Sequence, residues 1–288
     1  MTLLLDGKVA AEALRLKILS TLGTKSVNHS ACLAVIVVGD DPRSKSYVNN
    51  KLKTAALWGI QCKHMHLPRN SRYADIAATI KNLNDDKAVN GMIFQLPPDM
   101  ESPLSAAQIH DLLESISPMK DADGLLSTNL GTLVAMGNTT GSPVPATPLG
   151  ILRLLQHYKI PIEGADVCVV GKSRLVGLPV SILLEHQGAT VTMCHSGSKN
   201  VHEKAQAADI IVAATGVQGL IRESHVHSNS VVVDVGIVST PQGIRGDVDH
   251  SVYSKVAAYS PVPGGVGPMT VAALMENVIT LWRVQNKI

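Results

Sequence analysis

The sequence predicts an α/β fold with two domains, each built on a parallel β-sheet. Short runs rich in Val, Ile and Ala alternate with longer amphipathic stretches along most of the chain. The apolar runs are nearly continuous, which is typical of strands that helices cover on both faces. With 288 residues, the chain is also long enough for two domains of ordinary size.

Each predicted element follows from one such run. Strands are predicted at 33–39, 91–96, 166–171, 189–194, 209–214 and 230–235. Amphipathic periodicity predicts helices at 45–58, 73–85, 177–187, 199–207 and 268–285. Strand–helix alternation of this kind favours parallel pairing within each sheet.

Two stretches rich in Gly and Pro predict crossings between the domains. They are "GNTTGSPVPATP" at 137–148 and "SPVPGGVGPM" at 260–269. The predicted first domain is therefore 1–147 plus 264–288, and the predicted second domain is 148–263. The final helix is expected to return to the first domain.

Composition excludes several classes of protein. Charged residues make up 17% of the chain and the formal net charge is +2, without the concentrated basic block that nucleic-acid and membrane-surface proteins need. The apolar run at 31–38 is too short to span a bilayer, and the N-terminus does not read as a signal peptide. The four cysteines are widely spaced, which predicts buried thiols in a reducing compartment. We expect a cytoplasmic protein that binds neither nucleic acid nor membranes.

A glycine turn follows the predicted strand 166–171. It reads "GKSRLVGLP", with Gly171 and Gly177 six residues apart. Gly-Lys-Ser also ends an ATP-binding P-loop, but that motif needs a flexible loop where this chain has a strand. A helix that begins at Gly177 would offer unpaired N–H groups and a positive dipole to a pyrophosphate. On this motif alone, a dinucleotide site and a plain strand–turn–helix corner are equal alternatives.

The next predicted strand, 189–194, favours the dinucleotide site and indicates which dinucleotide it binds. An NAD site usually has an acidic residue after this strand, whereas this chain reads "HSGSK" and has no acid before Glu203. His195 and Ser196 follow the strand, and Lys172 and Arg174 lie in the adjoining turn. These side chains can donate to a 2′-phosphate, so the sequence predicts NADP over NAD. A solvated loop with incidental polar residues is the alternative.

Tyr47 and Lys51 are four residues apart in the predicted helix 45–58 and share one of its faces. A Tyr packed beside a Lys can lower the pKa of the ammonium and make it a proton carrier. From this segment alone, an ordinary solvated helix with Lys51 and Lys53 pointing outward is the favoured alternative.

Two further segments favour a ligand-binding site over a plain solvated helix. Gln95 lies at the carboxyl end of the strand 91–96, where open α/β sheets bind ligands. The segment 117–131 reads as a polar loop too acidic and irregular for the core. Its Asp121 and Asp123 are expected to bind a donor-rich ring, to cap a helix or to lie in solvent.

The glycines of "PGGVGPMT" at 263–270 allow the backbone to approach a flat ligand, with an interdomain hinge as the alternative. The His-x-His pairs at 64–66 and 225–227 are expected at surface positions, and no metal site is predicted. His195 is the only histidine that we expect near a cofactor.

Taken in order, "YVNNKLK", "QLPPD", "KDADG", "TPLG", "GKSRLVGLP", "TMCHS" and "PGGVGPMT" resemble the bifunctional methylenetetrahydrofolate dehydrogenase/methenyltetrahydrofolate cyclohydrolase family. The resemblance extends from about residue 3 to 285. It implies two α/β domains around a cleft, with a folate substrate on the first domain and NADP on a Rossmann-like second domain, usually in a homodimer. It also implies two reactions. NADP+ oxidises 5,10-methylenetetrahydrofolate, and water then opens the methenyl product to 10-formyltetrahydrofolate.

The resemblance also assigns roles to residues. Lys51 is implied as the catalytic lysine, supported by Gln95, with Tyr47 stacking on folate and Asp123 gripping the pterin ring. The implied folate-site residues of the glycine loop are Pro263, Gly264, Gly265 and Pro268. The implied cofactor residues are Gly171, Lys172, Ser173, Arg174, Gly177, His195, Ser196, Thr215, Gly236 and Ile237.

The chain departs from the family pattern in places. Lys172 stands where the family usually has Arg, which keeps the charge but loses the planar fork. Gly197 and Ser198 replace a basic residue and Thr, Ala146 stands where Cys is common, and Pro98-Asp99 replaces Leu-Pro. A dehydrogenase without cyclohydrolase activity, and a catalytically silent binding protein, are the alternative functions.

Overall fold

Residues 2–22, 31–96, 103–137, 141–241 and 243–288 are described by a computed structural model, with the backbone alone for 42–44 and 46. The chain forms two compact units. The six-stranded unit comprises Met1–Leu14 and Thr147–Ala273, and the three-stranded unit comprises Arg15–Ala146 and Leu274–Ile288.

The elements are numbered along the chain. The strands are β1 (Leu3–Leu4), β2 (Cys32–Val38), β3 (Gln61–Leu67), β4 (Gly91–Phe94), β5 (Asp166–Val170), β6 (Thr190–Cys194), β7 (Ile210–Ala213), β8 (Val231–Asp234), β9 (Val238–Thr240), β10 (Gly243–Arg245) and β11 (Ala258–Tyr259). The helices are α1 (Gly7–Leu22), α2 (Pro42–Leu57), α3 (Tyr73–Asp85), α4 (Ala106–Glu114), α5 (Ser127–Met136), α6 (Ala146–His157), α7 (Gly177–Glu185), α8 (Val201–Gln206) and α9 (Val266–Asn286). In the part of the chain that the structure describes, no helix is long and apolar enough to cross a membrane.

The six-stranded unit is built on a parallel sheet in the order β1-β11-β8-β7-β5-β6. Strands β7 and β8 are buried along their whole length, as their continuous apolar sequences require. Because β6 and β7 flank β5 on opposite sides, the chain reverses direction across the sheet at β5. Such a switch point opens a crevice at the carboxyl ends of the strands.

The turn between β5 and α7 depends on two glycines. Gly171 has φ +130°, and a Cβ there would lie 2.2 Å from the carbonyl oxygen of Ala214. A Cβ on Gly177 would lie 2.0 Å from the carbonyl oxygen of Gly171. A side chain at Gly171 would clash with the segment after β7, and one at Gly177 would push α7 away from the turn, so both positions require glycine for packing.

The three-stranded unit has β2 at the centre of a parallel sheet, between β3 and β4. All seven residues of β2 are buried, whereas β3 has only exposed and half-buried residues. The sheet packs on a core that includes Ile36, Ile80, Phe94 and Leu112. The carboxyl end of β4 is thereby fixed by a rigid, apolar framework.

Residues 120–126, within the segment predicted as a polar loop outside the core, are in fact mostly buried, and for this stretch the prediction is wrong. Lys120 is 9% exposed, and its Nζ donates to the carbonyl oxygens of Leu83, Asn84 and Asp86 at 2.7–2.8 Å. These carbonyls lie at or just beyond the end of α3, where helical carbonyls lack intrahelical partners. Lys120 is therefore a buried helix cap.

Asp121 completes the burial of this loop. Its carboxylate accepts hydrogen bonds from the N–H groups of Gly124 (3.0 Å) and Leu126 (2.9 Å) and from Nδ2 of Asn129 (2.8 Å). Desolvation raises the pKa of Asp121, and these donors oppose the rise. Asp121 was expected to bind a ring, to cap a helix or to lie in solvent. It acts as a cap, because it accepts from the N–H of Leu126 just before α5.

The final helix returns to the three-stranded unit from Leu274 onward, as the sequence predicts. Asn277 is 3% exposed, and its Nδ2 donates to the carbonyl oxygens of Ala122 (2.8 Å) and Val144 (2.7 Å). An Asn in an apolar helix thus joins two segments of its unit.

The division into units differs from the predicted domain boundaries at both ends. Met1–Leu14 belongs to the six-stranded unit, because β1 pairs with β11 and the N–H of Gly7 donates to the carbonyl of Gly264 at 2.9 Å. Residues 264–273 belong to the same unit. A two-residue strand carries too little periodicity to be found in the sequence.

Gly124→Ala is expected to lower the free energy of unfolding by about 2–4 kcal/mol. Gly124 has φ +69°, and a Cβ there would lie 2.5 Å from the carbonyl carbon of Val144. Chemical denaturation measures the change. Gly131→Ala is the matched control, since Gly131 is helical with open space around its Cα and should gain about 0.5–1 kcal/mol. Equal stability of the two variants would contradict this account of the loop.

Candidate functional site

A lysine and a glutamine meet at the carboxyl end of β4. The Nζ of Lys51, on α2, donates to Oε1 of Gln95 at 3.0 Å. Gln95 is 9% exposed, its backbone N–H donates to Ile36, and its Nε2 donates to the carbonyl of Leu96 at 2.8 Å. The amide is thus fixed with its oxygen towards the lysine. The predicted pair of Lys51 and Gln95 is present.

Asp123 belongs to the same group of side chains. Burial raises the pKa of its carboxyl, while the positive charge of Lys51 acts in the opposite direction. Its carbonyl accepts from the N–H of Ala146 at 3.2 Å, and Asp121 fixes the loop on the other side. The loop therefore holds a carboxyl within electrostatic reach of the lysine.

Tyr47 lies one helical turn before Lys51 and is 48% exposed. A half-exposed phenol ring next to a polar pair offers a flat apolar surface to a ligand. Lys53 is exposed. The helix thus presents two lysines in different settings, and only Lys51 has a hydrogen bond to Gln95.

A cavity of about 540 Å³ opens at the switch point of the six-stranded unit. Its walls come from the turns after β5, β6 and β7, together with α8 and the 3-10 turn Glu223–His225. This volume lies within the usual range for sites that bind cofactors and other small molecules. None of the described residues that line the cavity is acidic.

The turn after β5 gives this cavity Lys172 and Ser173. The Ser173 hydroxyl accepts from the N–H groups of Val176 (3.2 Å) and Gly177 (3.4 Å), and its carbonyl accepts from Leu178 (3.0 Å). The expectation that the helix starting at Gly177 offers an unpaired N–H is therefore wrong, because Ser173 caps it. The Ser173 hydroxyl proton can still be donated to a ligand.

The turn after β6 gives the cavity His195, Ser196 and Ser198. The N–H of His195 donates to Oγ of Ser198 at 3.0 Å, and Nδ1 of His195 accepts from the N–H of Gly197 at 3.1 Å. A neutral ring therefore carries its proton on Nε2, as a donor. A Cβ at position 197 would lie 3.2 Å from Cε1 of His195, so Gly197 gives the ring its room.

His225 also lines this cavity, so two histidines lie where the sequence predicts only His195. Its Nδ1 accepts from the N–H of Arg222 at 3.3 Å. Burial, and then the neighbouring His202, lower the pKa of His225. With Val201, Val217 and Leu220, it forms an apolar side of the cavity that the sequence did not indicate.

The predicted cofactor residues divide into two groups. Those that line the cavity are Gly171, Lys172, Ser173, His195, Ser196 and Thr215; those that do not are Arg174, Gly177, Gly236 and Ile237. Gly177 acts through helix packing, as described above. No cluster of His, Cys, Asp or Glu among the described residues can hold a metal ion.

The glycine loop 263–268 packs within its own unit. The N–H of Gly265 donates to the carbonyl of Pro261 at 2.8 Å, and a Cβ on Gly7 would lie 1.7 Å from the carbonyl oxygen of Gly265. The start of α1 thus lies directly against this loop. The roles expected for Pro263, Gly264, Gly265 and Pro268 at a folate site stay predictions.

Two family models match the chain. The tetrahydrofolate dehydrogenase/cyclohydrolase catalytic domain matches residues 5–123, and the NAD(P)-binding domain of the same name matches 145–286. The chain belongs to the tetrahydrofolate dehydrogenase/cyclohydrolase family.

Relatives match along the whole chain. A protein of Aquifex aeolicus named bifunctional protein FolD is 42% identical over 98% of this chain and 96% of its own length. The structure of the bifunctional FolD methylenetetrahydrofolate dehydrogenase/cyclohydrolase of Campylobacter jejuni is 38% identical, with a TM-score of 0.91 over 100% of both chains. The FolD structure of Trypanosoma brucei, complexed with NADP cofactor and inhibitor, is 32% identical, with a TM-score of 0.89 over 100% of this chain and 99% of that one.

Two buried carboxylates support the turns beside the cavity. Asp234, at the end of β8, is 0% exposed and accepts from the N–H groups of Asp247 (2.8 Å) and Val248 (3.1 Å). Burial raises the pKa of Asp234 to about 7, against 3.8 for an ordinary aspartate, and the nearby Asp247 adds to the rise. The folded protein therefore binds a proton on Asp234 that the unfolded chain releases at a lower pH.

The stabilisation from this proton is present at low pH and is lost as the pH rises through about 7. The difference in free energy of unfolding between the wild type and Asp234→Asn is therefore expected to be larger at pH 5 than at pH 8. Denaturant unfolding at both values measures it. A difference that stays constant or grows with pH would contradict the raised pKa.

Proposed function

We propose that this protein oxidises 5,10-methylenetetrahydrofolate with NADP+ and hydrolyses the methenyl product to 10-formyltetrahydrofolate, in one-carbon metabolism. The observation that carries the proposal is the hydrogen bond from Lys51 to Gln95 at the end of β4, in a chain of this family. A proton-carrying group held in a fixed direction is what hydrolysis of a methenyl carbon needs.

The cavity of the six-stranded unit suits NADP. Lys172, Ser173, His195 and Ser196 supply donors to phosphate oxygens, and the lining lacks an acid that would repel a 2′-phosphate. The half that contains Val201, Val217 and Leu220 suits an apolar ring. When bound, NADP+ accepts the hydride that the folate methylene carbon gives up.

In the dehydrogenase step, the chain's own residues bind and orient the folate. Asp123 accepts hydrogen bonds from the donor edge of the pterin when its carboxyl is ionised, and Tyr47 offers its ring for stacking. The folate nitrogens stabilise the cation that forms at the carbon, so positioning supplies most of the protein's contribution.

In the cyclohydrolase step, Lys51 moves the proton. When its amine is unprotonated, Lys51 takes a proton from the water that adds to the methenyl carbon, and the resulting ammonium returns that proton to the folate nitrogen as the carbon–nitrogen bond breaks. Gln95 accepts one N–H of Lys51 and so fixes the direction of the others. The hydroxyl proton of the adduct leaves to solvent as the formyl C=O forms, so the cationic methenyl compound and water give 10-formyltetrahydrofolate and one released proton.

Lys51→Met is expected to lower the rate of methenyl hydrolysis by about 10²–10⁴-fold, because general acid–base catalysis is lost. Absorbance of the methenyl product measures the rate. Lys53→Met is the matched control, on the same helix but exposed, and should keep the wild-type rate. Unchanged hydrolysis in Lys51→Met would remove Lys51 from the mechanism. A wild type that forms NADPH but never hydrolyses the methenyl product would be a dehydrogenase alone.

Lys172→Met is expected to weaken the binding of NADPH by about tenfold and the binding of NADH by less than threefold. The reason is that the lost positive charge is proposed to face the 2′-phosphate, which NADH lacks. Fluorescence titration of each nucleotide measures the dissociation constants. Lys204→Met is the control, because that exposed lysine donates to the carbonyl of Lys199 and does not line the cavity. Equal weakening of both nucleotides would place Lys172 away from the 2′-phosphate.

We also propose, from the family resemblance, that the protein is a cytoplasmic homodimer. The four cysteines are free thiols, three of them buried, which suits a reducing compartment. Light scattering of the purified protein measures the oligomeric state.

A further inference from the structure

In the turn after β7, the backbone N–H groups donate to side chains of the protein and do not point into the cavity with a free hydrogen. The N–H groups of Thr215 and Gly216 both donate to Oδ2 of Asp247, the latter at 3.1 Å. The Thr215 hydroxyl donates to the same oxygen at 2.9 Å and accepts from the N–H of Val217 at 3.1 Å. Three successive backbone N–H groups are therefore satisfied within the protein.

Successive N–H groups of this kind usually form a concave site for an anion. Here an internal anion, the Asp247 carboxylate, occupies that site. Thr215 and Val217 line the cofactor cavity, yet the N–H groups of this turn are not available to a phosphate. The donors that remain in the cavity lie on the turns after β5 and β6.

The carboxylate is itself fixed by its surroundings. Asp247 is 0% exposed, and its N–H donates to Oδ1 of Asp234 at 2.8 Å. A Cβ on Gly236 would lie 1.8 Å from Oδ1 of Asp247, and one on Gly246 would lie 1.9 Å from Oδ2 of Asp234. Both glycines therefore make room for a carboxylate, which explains Gly236 without a direct contact to cofactor.

The hydrogen bonds from this turn to Asp247 converge on one of its two oxygens. Oδ1 is buried and has no hydrogen-bond partner among the described residues, so all three donors converge on Oδ2. Hydrogen bonds to an ionised acceptor are about twice as strong as neutral ones. A neutral side chain of the same shape would hold the turn more weakly.

We propose that Asp247 is a positioning residue of the cofactor site: it closes the anion site of residues 215–217 and so directs the phosphates of the dinucleotide to Lys172 and Ser173. The inference rests on the proposed function, because it takes NADP as the ligand. The turn after β7 would then lie against groups of the dinucleotide that carry no negative charge, such as the ribose hydroxyls.

Asp247→Asn tests the charge. It keeps one oxygen for the three donors, and the dissociation constant of NADPH, measured by fluorescence titration, is expected to rise about tenfold. The KM for methylenetetrahydrofolate and kcat at saturating NADP+ should change less than twofold. Asp249→Asn is the control, since that aspartate lies two residues away, accepts from the N–H of Ser251 and does not line the cavity. It should bind NADPH as the wild type does.

Thr215→Val and Thr215→Ser test the same turn without changing Asp247. Val removes the hydroxyl that joins Asp247 to Val217, and affinity for NADPH is expected to fall about fivefold. Ser keeps that hydroxyl and should restore affinity to within twofold. This pair decides the question if Asp247→Asn does not fold.

Wild-type affinity in both Asp247→Asn and Thr215→Val would overturn the proposal, as would equal losses of affinity in Thr215→Val and Thr215→Ser. A uniform loss of kcat and of affinity for both substrates would also overturn it, since that pattern indicates a general structural role. Failure of the wild type itself to bind NADPH would instead overturn the proposed function, so the two failures are distinguishable.

Discussion

Buried aspartates that accept backbone N–H groups fix the loops at the ends of the parallel strands. Loops at strand ends lie where ligands bind, yet their backbone donors need partners once they are buried. In the three-stranded unit Asp121 accepts from Gly124 and Leu126, and in the six-stranded unit Asp234 and Asp247 do the same for two further loops. Each carboxylate holds a loop whose neighbouring side chains can then act on a ligand.

The same arrangement explains which residues are available for chemistry. Lys120 and Asp121 belong to an acidic-looking motif, but both are used in capping, and Asp123 is left to face Lys51. In the cofactor cavity, Asp247 uses the donors of one turn, so the cationic and hydroxyl side chains of the other turns remain for phosphate. The specificity that we propose thus depends on the backbone donors that Asp247 withdraws as well as on the side-chain donors that remain in the cavity.

Much of the fold follows from the sequence, because strands buried on both faces leave continuous apolar runs. The predicted bounds of β5, β7 and β8 agree with the structure to within one residue at each end. Strand β3 was missed because none of its residues is fully buried and it has no continuous apolar run, and β1 and β11 are too short to show a pattern. The Lys51–Gln95 pair was predicted from the family resemblance, whereas strand position alone indicated only that Gln95 lies at a ligand-binding edge. The role of Asn277, the burial of Lys120 and the place of His225 depend on tertiary contacts that no local pattern encodes.

An assay of the purified wild type with methylenetetrahydrofolate and NADP+ that follows both products together tests the proposed pair of reactions most directly. We expect NADPH to form and 10-formyltetrahydrofolate to follow it in equal amount. Absence of NADPH formation with NADP+ and of NADH formation with NAD+ would contradict the proposal.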